Sequence, residues 1–154
     1  MTEDLHFMKL ALKEAQKALE KDEVPVGAVI VKDGEVLASS YNQREGLNDP
    51  TAHAELLAIR EAAKNLKNWR LTDTTLYVTK EPCPMCAGAI VGARIKRLVY
   101  GCKDERGGAT ESLYRITTDQ RLNHQVEVVS EILADECRKL LQDFFRRKRE
   151  KDRV

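Results

Sequence analysis

Two separated segments constrain this chain more than any other feature: His53-Ala54-Glu55 and, further on, Pro82-Cys83-Pro84-Met85-Cys86. They offer one imidazole and two thiols, so a fold that uses them together must carry both segments to one point. Three such groups can hold a zinc ion and leave a fourth position open, as catalytic rather than structural zinc sites do. Both segments fall at expected helix starts. Thr51 reads as the cap ahead of His53, and Cys83 precedes Pro84, a residue best tolerated in the first helical turn. The partial positive charge of a helix N-terminus favours thiolates and so eases metal binding. Cys83 and Cys86, three residues apart, share one helix face. His53 belongs to a different helix, so the arrangement calls for two helices side by side on a sheet.

The rest of the chain supplies such a sheet. Residues 3 to 21 form an expected amphipathic helix with Leu5, Met8, Leu12, Ala15 and Leu19 inward and Thr2 as its cap. Runs 24–31 and 35–41 are rich in β-formers and flank Lys32-Asp33-Gly34, a hairpin signal. Residues 43–50 read as a loop, and 51–67 as a helix with Ala54, Leu57, Ala58 and Ala62 on one face. A strand over 74–79, a helix over 84–94 and a strand over 95–100 follow. Then come a glycine-containing loop over 101–110, a short strand over 126–129 and a basic closing helix over about 132–149. Strands alternating with helices predict an α/β protein, a three-layer α/β/α sandwich with a mixed five-stranded sheet, organised as one domain over residues 1–154.

Composition narrows the function classes. With 154 residues and 42% apolar content, the chain can bury a core without disulfide staples. No apolar run reaches the roughly 20 residues of a membrane span. The acidic start, Glu3-Asp4, is unlike a secretory signal. Four cysteines, two in a Cys-x-x-Cys, then read as metal chemistry in a reducing cytoplasm rather than as disulfides. The overall charge of +1 conceals a basic end: from residue 138 onward eight basic residues face three acidic ones. A cationic end on a slightly acidic domain suits a polyanion.

The residue types dictate a reaction. Zinc lowers the pKa of bound water towards ~7 in favourable sites, but two thiolates neutralise the metal and weaken that effect. A base beside the water is therefore needed, and Glu55, two residues from His53, can take its proton, pass it to a ring nitrogen and help ammonia leave. A closed scaffold zinc is the competing reading, with Cys102, Cys137, His6 and His124 as isolated candidates for a fourth ligand.

His-x-Glu followed by Pro-Cys-x-x-Cys is the established signature of zinc nucleobase deaminases. The surroundings go further. Glu23-Val24-Pro25-Val26-Gly27-Ala28-Val29, Asp49-Pro50-Thr51-Ala52-His53-Ala54-Glu55 and Tyr77-Val78-Thr79 ahead of Glu81-Pro82-Cys83-Pro84-Met85-Cys86-Ala87-Gly88 resemble the bacterial tRNA-specific adenosine deaminases, within the cytidine deaminase-like superfamily. Gly107-Gly108-Ala109, Leu122-Asn123-His124 and Phe144-Phe145-Arg146 continue the likeness almost end to end.

The resemblance implies adenosine-to-inosine conversion at the wobble position of an arginine tRNA, by attack of zinc-held hydroxide at C6 with Glu55 as proton shuttle. It implies His53, Cys83 and Cys86 as the ligands of one zinc per subunit, Asn42 as a hydrogen-bonding partner of the flipped base, and Val26 and Ala54 as walls of its pocket. Asp104 and Arg106 would touch neighbouring nucleotides, and Arg44, His124, Phe145 and Arg149 the rest of the anticodon loop. It also implies a homodimer in which each tRNA anticodon stem-loop touches both subunits. Phe144 and Phe145, being adjacent, cannot share one direction; Phe144 is expected in the core. Two departures stand out: Lys80, where relatives often carry an apolar residue, and Glu111-Ser112-Leu113-Tyr114-Arg115 in place of a glycine-serine-leucine-methionine form. A deaminase of free guanine, cytosine or cytidine would use the same zinc chemistry, without need of a basic last helix. An inactive RNA-binding scaffold would have no use for Glu55.

Overall fold

The computed structural model describes residues 2–152. Its elements are α1 (Thr2–Glu20), β1 (Gly27–Lys32), β2 (Glu35–Tyr41), the single turn α2 (Arg44–Leu47), α3 (Ala54–Leu66), β3 (Thr75–Lys80), α4 (Pro84–Gly92), β4 (Arg97–Cys102), a 3-10 turn at Ile116–Thr118, β5 (Glu127–Val129) and α5 (Ala134–Asp152). The five strands lie in the order β2-β1-β3-β4-β5. β1 runs antiparallel to both β2 and β3, whereas β3, β4 and β5 are parallel. The two kinds of pairing follow from their connections. Asp33 and Gly34 take positive φ values of 51° and 78°, which close a tight hairpin between β1 and β2. β3 and β4, being parallel, need the crossover that α4 provides.

The strand pleat sorts the helices into two layers. Gly27, Val29, Tyr77, Val99 and Gly101 share one face by register. There Tyr77 reaches Asp4 of α1, and Gly101 abuts Cys137 of α5. Ala28, Ile30, Leu76 and Val78 point to the other face, where α3 packs on β1 and β2 with α4 beside it. The result is a three-layer α/β/α sandwich whose core includes the fully buried Ile30, Leu76, Ile90 and Leu98. Burial of side chains this size contributes about 1.5–3 kcal/mol each.

The inward face of α1 differs from the periodicity-based expectation. Leu5 is exposed and Leu12 and Leu19 are only partly covered, while Asp4, Phe7, Met8, Ala11, Glu14, Ala15 and Ala18 are buried. Close approach decides this. α1 crosses Gly27 so tightly that a Cβ there would fall 2.5 Å from the backbone nitrogen of Ala15. So close a crossing favours small side chains, and Ala11 and Ala15 face the sheet there. Asp4 is buried because it is paired: Arg97 bonds both its carboxylate oxygens at 2.7 Å and Tyr77 donates at 2.8 Å. The helix also includes Thr2 rather than starting after it as a cap.

Other corrections have local causes. Residues 43–50 are not all loop. The α2 turn forms because the buried Glu23 carboxylate accepts the N–H groups of Glu45 (3.0 Å) and Gly46 (2.7 Å), a cap supplied from a distant segment. Thr51 bonds Asp49 instead of capping α3, and His53 is itself the N-cap. β1 starts at Gly27 because Val24 to Val26 form a tight turn, Val26 N–H to Val24 C=O at 2.9 Å. β4 extends through Gly101 and Cys102, and α5 begins at Ala134.

Candidate metal centre and base pocket

The C-terminal ends of β3 and β4 and the starts of α3 and α4 converge at one end of the sheet. His53 and Cys83 are the N-caps of α3 and α4, each with extended backbone and with its carbonyl accepting the first helical bond, from Leu57 and Ala87. Neither side chain caps its own helix. Both are free to turn towards each other, and Cys86, in the first turn of α4, joins them. Cys83 Sγ lies 3.6 Å and Cys86 Sγ 3.4 Å from His53 Nδ1. Zinc bonds of about 2.0–2.1 Å to nitrogen and 2.3 Å to sulfur place the two ligand atoms about 3.5 Å apart in a tetrahedron. Both nitrogen–sulfur distances therefore suit that ion, and the three ligand atoms all lie within 4.8 Å of one another. Among the described residues no other His, Cys, Asp or Glu joins the cluster. Cys102, Cys137, His6 and His124 are elsewhere, which removes the closed four-ligand reading.

The three ligand groups share protons across their short contacts. The hydrogen bond from Cys86 pulls the Cys83 thiol down to about 4, and the same bond with burial holds the Cys86 thiol up. The Cys83 hydrogen bond raises His53. Glu55, in the first turn of α3, is buried, and desolvation lifts its carboxyl above the ordinary range. A carboxyl held that way accepts and releases protons more readily near neutrality than an exposed one.

These groups floor a cavity of about 190 Å³ lined by Val24, Val26, Asn42, Arg44, His53, Ala54, Glu55, Lys80, Glu81, Cys83, Asp104 and Phe145. Asn42 carries the sharpest recognition feature. Its Nδ2 donates to Val24 C=O at 3.2 Å, while its buried Oδ1 has no partner. An unpaired buried acceptor costs about 1–3 kcal/mol unless something supplies a donor. Val26, Asn42 and Ala54, expected around the base, and Arg44, Asp104 and Phe145, expected against other nucleotides, thus line one cavity with Glu55. Phe144 is buried in the core and Phe145, 42% exposed, reaches the cavity from α5. Arg149 stands one turn beyond Phe145, exposed, and Arg106 is exposed on the loop after β4; neither lines the cavity. His124 is not brought to the site. It meets Ile95 C=O at 2.7 Å just before β4 begins, at the opposite end of the sheet, among Arg70, Arg94 and Lys96. On α5, Arg138, Arg146 and Lys148 pair with Asp135, Asp143 and Asp22. Arg153, counted in the basic end, lies outside the described residues.

Val24, Lys80 and Glu81 are lining residues that the reading of the sequence missed. Glu81 organises one wall. Its carboxylate is 2% exposed and accepts the N–H groups of Asp104 (3.0 Å), Thr110 (3.1 Å), Glu111 (2.8 Å) and Ser112 (2.9 Å), and the Ser112 hydroxyl. Gly108 makes the approach possible, since a Cβ there would lie 2.5 Å from Glu81 Oε2. Burial pushes this carboxyl up, but the hydrogen-bond donors outweigh it and hold it below its usual range. The Gly107-Gly108 pair, with no hairpin around it, was the available sequence signal. The Glu111 carboxylate also accepts the Tyr100 hydroxyl.

Comparison with known proteins agrees with this site. The profile of the MafB19-like deaminases matches residues 2–149. A tRNA-specific adenosine deaminase of Bacillus subtilis is 51% identical over 154 residues, covering 100% of this chain and 96% of the relative. One from Streptococcus pyogenes serotype M3 is 50% identical over 154 residues, covering 100% of this chain and 90% of the relative. The chain belongs to the tRNA-specific adenosine deaminase family. A solved tRNA:A34 deaminase of the same family, described as an A-to-I editor at the wobble position of transfer RNA, superposes with a TM-score of 0.85 at 51% identity, covering 88% of this chain and 99% of that one. A guanine deaminase from Bacillus subtilis is similar over a shorter stretch, 46% identical with a TM-score of 0.61, covering 64% of this chain and 63% of that one.

Proposed function

We propose that this member of the family converts adenosine to inosine at the wobble position of a transfer RNA, the arginine tRNA that the resemblance implies, by zinc-dependent hydrolytic deamination within a single domain. One observation carries the reading: the His53–Cys83–Cys86 triad at tetrahedral spacing shares its cavity with buried Glu55 and the unpartnered Asn42 Oδ1. Zinc held by these three residues lowers the pKa of water, so that a nucleophile is available at neutral pH. Glu55 takes the water's proton and delivers it to a ring nitrogen as the water's oxygen bonds to C6 of the base. It then carries the remaining proton of that oxygen to the amino group, which leaves as ammonia as the C6–N bond breaks and C6 becomes a carbonyl. Val26 and Ala54 hold the purine faces, and Asn42 Oδ1 accepts a hydrogen bond from it.

A base stacked in an anticodon loop reaches this cavity only if it is flipped out, at a cost on the order of a few kcal/mol. Phe145 and Arg44 at the rim, with Arg149 and Arg106 beyond it, supply stacking and charge for the neighbouring nucleotides. The enzyme acts in the cytoplasm as a homodimer, and exposed Met85, Leu113 and Tyr114 offer apolar surface for the second copy.

The test is an anticodon stem-loop RNA carrying adenosine at the wobble position: inosine forms there, and Glu55→Ala abolishes it while the protein retains its metal. Turnover of free guanine without inosine formation overturns the reading in favour of a free-base deaminase, the alternative that the guanine deaminase likeness keeps in view. Truncation after Leu141 separates the two as well. It removes Phe145 and Arg149, together with the buried Phe144, and abolishes binding of the stem-loop, whereas a free-base enzyme keeps its turnover as long as the shortened chain stays folded, which its melting curve checks.

A further inference from the structure

Three carboxylates surround the cavity, Glu55, Glu81 and Asp104, although the proposed substrate is a polyanion. Glu55 is inside, and Glu81 is consumed by the loop donors. Asp104 stands at the mouth. Its Oδ1 accepts the N–H groups of Arg106 (3.1 Å) and Gly107 (3.2 Å), and its Oδ2 lies 3.2 Å from Lys80 Nζ. Lys80 ends β3 directly beside Cys102 of β4, so the two side chains meet across adjacent parallel strand ends. Their exposures, 31% and 21%, leave the pair open to solvent on one side. Such pairs contribute little to stability, so bracing the fold does not account for this lysine.

We infer that Lys80 is a further substrate-binding residue of this enzyme: its ammonium neutralises Asp104 at the pocket mouth and binds a phosphodiester oxygen next to the flipped base. The inference rests on the RNA reading above. An ammonium carries three N–H donors, and among the described residues Asp104 is the only ion-pair partner of Lys80. Donors therefore remain for a substrate oxygen. A base seated among Val26, Asn42 and Ala54 leaves its sugar and phosphates at the rim, where Lys80 stands. Without the lysine, that phosphate would meet the uncompensated Asp104 carboxylate, a like-charge contact.

The experiment measures affinity for the stem-loop by fluorescence anisotropy, with either phosphodiester flanking the target adenosine replaced by a neutral methylphosphonate. In the wild-type enzyme one of the two replacements weakens binding about tenfold, the scale of one charge-assisted hydrogen bond. Lys80→Met weakens binding of the unmodified RNA to a similar degree and no longer distinguishes the two linkages. Its slope of log affinity against log salt is shallower by about 0.7, one phosphate contact on a single strand. Lys80→Arg keeps the discrimination, and Asp104→Asn in the Lys80→Met background recovers part of the loss. Wild-type binding that ignores both methylphosphonates overturns the inference even where Lys80→Met fails to fold; so does Lys80→Met discriminating as strongly as wild type. Inosine formation by the wild-type enzyme is scored in the same samples. Its absence would reject the functional reading, while the affinities still judge Lys80.

Discussion

Replacing Glu81 by alanine should release the wall of the pocket that runs from Asp104 to Ser112. Four backbone N–H groups and one hydroxyl lose their acceptor at once. A buried donor left unpaired costs about 1–3 kcal/mol, but only Thr110 is fully buried among these residues, and the others can turn to water. The net loss is therefore about 3 kcal/mol, well short of the sum for five orphaned donors. For a chain of this size that corresponds to a melting temperature lower by about 6–12 °C. Glu81→Gln keeps one oxygen for the Thr110, Glu111 and Ser112 N–H groups but sets an NH₂ against the Asp104 N–H, so it should fall between the two.

The assay is thermal and urea unfolding of the three proteins, with hydrogen exchange of residues 104–112 and the rate of inosine formation on the stem-loop. Exchange in this segment accelerates, turnover falls, and metal content stays level, because no triad residue lies in the released segment. The pH dependence has a defined sign. The folded carboxyl sits below its ordinary value, so its contribution is present above that value and disappears as pH falls through the folded one. Glu81→Ala with wild-type melting and a protected loop would refute this account of the wall.

Gly27→Ala is expected to cost about 3 kcal/mol or more, because the methyl meets the α1 backbone and the helix must lift from the sheet; urea midpoints measure it. Asp4→Asn breaks the two-pronged bond to Arg97 and the Tyr77 contact and should cost about 2 kcal/mol, below the full value of a buried pair because Arg97 is 26% exposed. The Arg97 bond holds the Asp4 carboxyl below 3.8, so its stabilisation persists above that value and is lost as pH drops through the folded one; the Asp4→Asn protein should show a flatter acid unfolding curve.

Much of the architecture was legible because its signals are local. Asp33-Gly34 marks a turn that only positive φ can close, and Pro84 opens a helix whose first turn carries both thiols. The larger failures share one cause, which is contact between distant segments. The inward face of α1 was read from its leucines, but Gly27, far along the chain, selected the alanines. The α2 turn was read as loop because its cap, Glu23, comes from another segment. Glu81 and Lys80 looked like residues beside a motif, and their partners lie more than twenty positions away.

By itself the sequence determined the reaction. His53, Glu55, Cys83 and Cys86 are the donor types that zinc-assisted deamination requires, and helix starts place them with thiolate-favouring polarity. Tertiary structure alone decided the geometry and the company of that chemistry. It set the 3.4 and 3.6 Å spacings, left Asn42 Oδ1 unpaired in the cavity and joined Lys80 to Asp104 at its mouth. It also left His124 at the far end of the sheet. Donor type is a property of single residues, but distance and desolvation belong to pairs that only the folded chain brings together.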